Sequence, residues 1–414
     1  MKALYVVGSC LTKNTSANMS HNGYVQGLLE NGCQVDILMA EDSWGAADAA
    51  LPIWEQARYF RYPSVSGEDR LRQKARKLFG VGQSAPPAAM RTAGEQQTVF
   101  RSAPSWKGRV RALVKKGFYT LFPADPLYPL ESTWLKNAVR FRGAEEYDLV
   151  VSNSSPAASH KLVADLLKKG NLRCGRWVQI WEDPWFADLY SGGREDVRRE
   201  EHILLRAASE IYYVSPLTLD YQKELFSDCA HKMKHIPLPY LDFAEGNKER
   251  EKKLSFGYFG DFYSRTRNLL PFYQVLKVSG FCGYIYGDSD LKLESTSEVE
   301  VSGRVTLDKL AAVQEKTGVL VHLCNLRGGQ IPGKIYHYSA TSKPILFILD
   351  GTAEEQEKLH SYFKSFGRYY FCENTVDSIQ TAVEQIGKDW KTAAPTFAPV
   401  TAFSPKEVVR QLLT

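Results

Sequence analysis

The sequence predicts an α/β protein made of two doubly wound parallel sheets that face each other across a cleft. Short apolar runs alternate with helical patterns in two separate series, one within residues 2–215 and one within 254–349. Between them lies "LDFAEGNKEREKK" (241–253), polar and charged, which reads as a hinge. The size agrees: 414 residues, 44% of them hydrophobic, suit two or three packed domains and argue against disorder.

The first series opens with "KALYVVG", a short apolar strand, followed by a polar loop and a helical pattern through "HNGYVQGLLENG" that stops at Gly32. "CQVDILMA" is the next strand, so the order is strand, helix, strand, the unit of a parallel sheet. The rhythm resumes with the strand "YDLVVSNS", the helix "ASHKLVADLLKKG", the strand "RWVQIW", the helix "REEHILLRAA" and the strand "EIYYVS". The second series runs through "LSFGYFG", "NLLPFYQVLKVSG", "FCGYIYG", "LDKLAAVQEKTG", "VLVHLC", "GKIYHYSATS" and "PILFIL". Two Rossmann-like domains are expected, at 1–240 and 254–400, with a basic insertion at about 66–125 in the first. A C-terminal helix over 401–414 is expected to follow, with a return to the first domain as one arrangement. Such sheets bind ligands at the carboxyl ends of their strands.

Composition narrows the function classes. Seven scattered cysteines, odd in number and without a C-x-x-C pair, argue for free thiols in a reducing compartment rather than a disulfide framework or a zinc site. The opening "MKALYVVGSC" is too brief an apolar run for a signal peptide, and no run approaches the ~20 residues of a membrane-spanning helix. A cytoplasmic location is expected. Net charge is +5, yet residues 70–116 alone hold twelve Lys or Arg against one acid, Glu95, a local +11. An anionic surface, lipid or nucleic acid, is the matching partner. In "WKGRVRALVKKGFYTLF", Trp106, Val110, Leu113, Val114, Phe118 and Leu121 form a stripe with most cations on the other face. Such a helix lies in a membrane interface or packs on a sheet with a solvated basic face, and the sequence leaves both open. No aromatic-interleaved sheet or recognition-helix motif supports nucleic acid.

Strand-to-helix turns supply the candidate chemistry, because backbone N–H groups converge there. The first turn, "GSCLTKNTSANMSHNGY", lacks G-x-G-x-x-G, which disfavours a dinucleotide dehydrogenase. It reads as an acceptor-facing loop with Asn18, Ser20, His21 and Gly23 as candidate contacts, although His21, like His160, also suits a structural or capping role. In the second half, "GYFGDFYSRTRNL" places Gly260 at a strand end and Arg265, Arg267 and Asn268 before a helix. Arginines there oppose the helix dipole unless they clamp an anion such as a diphosphate. Lys334, at the start of "GKIYHY", follows the same logic.

The blocks "GYFGDFYSRTRNL", "YIYGD", "VSGRVTLDKLAAVQEKTGVLVHL" and "IPGKIYHYSATSKPIL", in this order and spacing, resemble the donor half of family-4 glycosyltransferases of the GT-B fold. "PLYPLESTWLKNAVRFRGAEEYDLVVSNSSPAASHKLVADLLKKG" is similar to the bacterial branch that builds surface polysaccharides. The resemblance spans nearly the whole chain outside roughly residues 44–105. It implies a nucleotide-sugar donor, no essential metal or other cofactor, retention of configuration, and a lipid-linked glycan acceptor at the inner membrane face. Arg267 matches the family's diphosphate-binding cation. Departures are Asp261, where the family often has Arg, and Gly329 and His337, where it has a glutamate pair eight positions apart. A neutral imidazole at His337 can accept a ribose hydroxyl, and Gln330, Ile331 and the backbone of "GGQIP" stand near the sugar position. The missing glutamates also suit an inactive relative that binds nucleotide sugars or membranes as a subunit. "WVQIWEDPWF" ends a first-domain strand and offers Asp183, then Glu182, as carboxylates near a sugar or acceptor hydroxyl. The competing reading is a turn initiated by Asp-Pro. Asp288-Ser289-Asp290 imitates a metal motif of the other major glycosyltransferase fold, but its place in the second domain favours solvated loop carboxylates.

Overall fold

The computed structural model describes residues 1–42, 48–49, 51–65, 125–188, 193–241 and 254–414. Most of the basic insertion, including 70–122, and all but the first residue of the 241–253 linker lie outside the described residues.

The first sheet holds β1 (Lys2–Val7), β2 (Gln34–Ala40), β3 (Arg58–Tyr62), β4 (Tyr147–Asn153), β5 (Cys174–Trp181), β6 (Glu210–Tyr213) and β7 (Met233–His235). They are parallel, in the order β3-β2-β1-β4-β5-β6-β7. The second sheet holds β8 (Ser255–Phe259), β9 (Cys282–Tyr286), β10 (Val299–Ser302), β11 (Val319–Leu323), β12 (Ile345–Leu349) and β13 (Tyr369–Glu373), in the order β10-β9-β8-β11-β12-β13. In both sheets the strand order reverses beside the first strand, at β1/β4 and β8/β11, which is where a doubly wound sheet opens a crevice. The apolar runs are continuous rather than alternating because helices cover both faces, so both side-chain rows of a strand are buried.

The helices of the first half are α1 (Ser16–Glu30), α2 (Ser132–Ala138), α3 (Ala158–Lys168), α4 (Glu195–Ala207) and α5 (Pro216–Leu225). Those of the second are α6 (Leu270–Ser279), α7 (Leu307–Lys316), α8 (Lys334–Tyr338), α9 (Ala353–Lys364) and α10 (Val376–Thr392), and α11 (Pro405–Leu413) ends the chain. The helix expected at "HNGYVQ" begins earlier. Thr15 is its N-cap, the hydroxyl accepting Asn18 N–H at 3.1 Å, so the polar run 16–20 is the first turn and not a loop. The helix expected across "GKIYHYSATS" is shorter, Lys334–Tyr338.

The C-terminal helix α11 packs on α1 of the first half. A Cβ on Gly27 would stand 2.2 Å from Pro405 O, so only glycine lets the two backbones approach. Val408, Val409 and Leu412 join Val25 and Leu28 in a core that continues to Ile335, Tyr336, Phe347 and Phe363 of the second half. Tyr336 Oη also donates to Val214 O at 3.2 Å. This shared apolar seam fixes how the two sheets face each other. Among the described residues no helix is long and apolar enough to cross a membrane.

Candidate active site

The cleft is best built from the strand ends. β8 ends at Phe259, and Gly260 N–H bonds Tyr286 O at 2.8 Å. Where a Cβ on Gly260 would lie, Lys334 Cε is 3.9 Å and Nζ 4.0 Å away. The missing side chain therefore leaves the lysine head over the strand end. Arg267 closes a short turn, its N–H on Tyr263 O at 2.8 Å, and its Nε is buried without a hydrogen-bond partner. Burial pushes the Lys334 ammonium down to about 8, and the Arg267 and Arg304 cations push the same way against Asp261. Lys334, Arg267 and Arg304 thus gather around the Asp261 carboxylate, the group that acts on all three.

His337 lies one turn beyond Lys334. Burial first, then the Lys334 charge, lowers it to about 4, so it is neutral at physiological pH, with Nδ1 buried and unpartnered. Asp261 is engaged by Arg304, whose Nε lies 3.1 Å from Asp261 Oδ1 and 3.2 Å from Asp288 Oδ2. Asp290 takes Ser264 N–H at 2.7 Å and its hydroxyl at 2.6 Å. Thus the "DSD" carboxylates are committed to protein partners. Elsewhere His202, Asp228 and Cys229 bring possible metal-ligand atoms within 4.8 Å of one another, but Arg206 Nε stands 3.8 Å from the same Asp228 carboxylate.

Other expected donor contacts are distributed differently. Arg265 is exposed, and its charge acts on Asp290 rather than on the Lys334 site. Asn268 serves the start of α6, its Oδ1 accepting Leu270 N–H at 3.2 Å. Ile331 is a correction: it is buried in the shared apolar core, because the loop after β11 turns inward before α8. Gly329 has φ +69, and its carbonyl accepts bonds from Ser215 and Thr218 at the start of α5. A Cβ there would meet Leu217 Cβ at 2.8 Å. The "GGQIP" loop is thereby pressed against the first half of the molecule, and Gln330 reaches across. Its Nε2 donates to Asp183 Oδ1 at 2.8 Å and to Asp188 Oδ2 at 3.2 Å.

Asp183 thus faces the cleft from the end of β5. Burial and the nearby Asp188 charge raise it to about 6, and the Gln330 bond opposes them. Glu182 is deeper. Burial and then Asp183 hold it well above the usual carboxylate range, and its Oε1 lies 3.7 Å from His21 Nδ1. His21 belongs to a buried chain in which Asn153 Nδ2 donates to Tyr5 Oη and Tyr5 Oη meets His21 Nδ1, each at 2.9 Å. Burial lowers His21 to about 4, so it is neutral.

The expected acceptor-side loop requires correction. Asn18, Ser20, His21 and Gly23 all lie in α1 and are buried. Asn18 ties down the preceding loop through Ser9 Oγ at 2.6 Å, Cys10 O at 2.9 Å and Lys13 O at 2.8 Å. Gly23 makes room for Tyr240 O, 2.9 Å from where a Cβ would be. Of the four, His21 alone approaches a candidate carboxylate.

Sequence reasoning missed Arg304, Asp188 and Glu201. Glu201 had a legible signal: it occupies the apolar stripe Val197, Glu201, Leu204, Leu205 of α4, where an acid is out of place. Its carboxyl accepts Phe186 N–H at 2.7 Å, and burial pushes it up to about 7.

No protein-family model matches this sequence, and no curated protein matches it. Solved structures do match in fold. HepE from Anabaena, in complex with UDP, is 12% identical with a TM-score of 0.52, over 99% of this chain and 95% of that one. A glycosyltransferase from Rickettsia africae is 11% identical with a TM-score of 0.50, over 99% and 92%. AviGT4, a glycosyltransferase involved in avilamycin A biosynthesis, is 10% identical with a TM-score of 0.50, over 100% and 95%. The chain has a GT-B-like fold of two Rossmann-like sheets.

Proposed function

We propose that this chain is a retaining glycosyltransferase of family-4 type that moves a sugar from a nucleotide-diphosphate sugar to a lipid-linked glycan acceptor. The observation that carries it is the pair of cations at the end of β8: Lys334 beside Gly260, depressed to about 8, and Arg267 with a buried, unpartnered Nε. Among the described residues Asp261 is the one carboxylate acting on both cations, and it is itself ion-paired to Arg304. That leaves positive charge for a diphosphate to meet, and the UDP of the HepE complex is a diphosphate nucleotide on the same fold.

The chemistry follows from the two walls. The bond from the sugar's anomeric carbon to the diphosphate breaks with the electron pair going to the leaving phosphate, whose growing charge Arg267 and Lys334 stabilise. An acceptor hydroxyl on the same face forms the new bond and gives its proton to the leaving phosphate, as the family resemblance implies. Asp183 orients that hydroxyl or the sugar from the opposite wall, and the neutral His337 accepts a ribose hydroxyl. The basic stretch 70–122, outside the described residues, docks the enzyme on anionic lipid at the cytoplasmic membrane face, where such an acceptor sits.

Nucleotide sugars, UDP-linked ones first, are screened by thermal shift, and those that stabilise the protein are tested for transfer and hydrolysis. A sugar donor that binds and turns over supports the enzyme. Binding without turnover on any acceptor assigns the chain to a sugar-nucleotide-binding subunit, and no binding removes the donor site.

A further inference from the structure

The turn Glu182–Phe186 carries Asp183 into the cleft between β5 and α4, and it is tied at both ends. At the near end, Trp181 Nε1 donates to Gln179 Oε1 at 3.0 Å and Glu182 N–H to Ser154 Oγ at 3.2 Å. At the far end stands Glu201, fully buried on α4. Its Oε2 accepts Phe186 N–H at 2.7 Å, while Oε1 lies 3.4 Å from Trp185 N and 3.3 Å from Gln222 Nε2. The Phe186 ring is flanked by the Arg198 guanidinium at 5.7 Å and by Gly193, where a Cβ would come within 3.1 Å.

A leucine at this stripe position would bury without cost, whereas a carboxylate must be desolvated, and it is met here by two main-chain N–H groups and the Gln222 amide rather than by a cation. What it gains is the pair of main-chain N–H groups two and three residues after Asp183. An apolar side chain here would take the acceptor from the Phe186 N–H.

We propose that Glu201 is a positioning residue: it fixes the Glu182–Phe186 turn so that the Asp183 carboxylate points across the cleft to Gln330. The proposal rests on the role given to Asp183 above, and its test keeps the two apart. Glu201→Gln, Asp183→Asn and the double variant are made in the full chain; glutamine keeps the volume and loses one acceptor. Transfer kinetics, nucleoside diphosphate affinity and amide hydrogen exchange are measured on each. Misplacing a reacting group by about 1 Å costs on the order of a hundred-fold, so Glu201→Gln should lower kcat by roughly ten- to a hundred-fold. Donor KM and UDP affinity should stay within about twofold, since Arg267 and Lys334 belong to the other half of the chain. Exchange should quicken about tenfold or more over residues 182–187 and not elsewhere. The double variant should be no slower than Asp183→Asn alone, because one residue acts through the other.

Multiplying effects in the double variant, unchanged exchange at 182–187, or UDP binding that falls in step with kcat would each overturn the proposal. A wild-type protein that transfers no sugar defeats the transferase reading. The exchange measurement then still decides whether Glu201 holds the turn.

Discussion

Removing the Lys334 ammonium should weaken nucleoside diphosphate binding, and the loss should depend on pH. A hydrogen bond to a charged group contributes about 1.5–3 kcal/mol, so Lys334→Ala should raise the Kd by roughly ten- to a hundred-fold. In the unliganded protein, burial and the Arg267 charge bring the ammonium from 10.5 down to about 8. A bound diphosphate favours the charged form and raises that value again, so above pH 8 binding must take up a proton. Between about pH 6.5 and 7.5 the ammonium is largely charged and wild-type affinity should be nearly flat, because phosphates with a second pKa near 6 are mostly ionised there too. Above pH 8 affinity should fall by up to tenfold per pH unit until it meets the level of the Ala variant. Titration calorimetry at about pH 7, 8 and 9, in buffers of different ionisation heat, reads both the Kd and the proton uptake. Lys334→Ala should be weak and nearly flat over this range, and Lys334→Arg tight and flat, since arginine stays charged. Wild-type affinity that is unchanged from about pH 7 to 9.5, or an Ala variant that binds as wild type does, would refute the anion site.

Asp183→Asn should reduce kcat by roughly a hundred- to ten-thousand-fold while leaving UDP affinity nearly unchanged, measured by transfer kinetics and calorimetry. Because the Asp183 carboxyl is raised to about 6, wild-type turnover should decline as pH falls through that value, and a flat acid limb would remove its ionised form from the mechanism. Turnover should survive EDTA, since Asp288 and Asp290 already bind Arg304 and Ser264; loss in chelator restored by manganese would reassign those carboxylates. Gly27→Val drives a side chain into Pro405 O, and overpacking of this kind costs about 1–3 kcal/mol. A lowered Tm by calorimetry is expected, and an unchanged one would mean that α11 is not held by that close approach.

The alternation of apolar runs and helical patterns determined the two sheets, because strands covered on both faces must be apolar throughout and their crossovers must be amphipathic. Local rules also placed Gly260, Arg267 and Lys334 at strand-to-helix turns, and the fold brings Gly260 and Lys334 side by side. Position in sequence could not say which neighbours compete for a charged group. Arg265 and Arg267 look alike in the sequence, yet one is exposed beside Asp290 and the other is half-buried near Lys334, with its Nε shielded from solvent. Asn18, Ser20, His21 and Gly23 are polar or small in the sequence and suggest a loop. Thr15 caps a helix there, and the close packing of Tyr240 and Pro405 on α1 buries that face. Gln330 and Asp183 are 147 residues apart, and only the docking of the two sheets through Tyr336, Val408 and their neighbours makes them a hydrogen-bonded pair. The sequence by itself determined the inner strands and most of the helices between them, since each depends on residues within a turn or a strand, while the edge strands β3, β7, β10 and β13 carry no apolar run that it singles out. The tertiary structure decided which charges meet, because desolvation and pairing depend on the distances that packing sets.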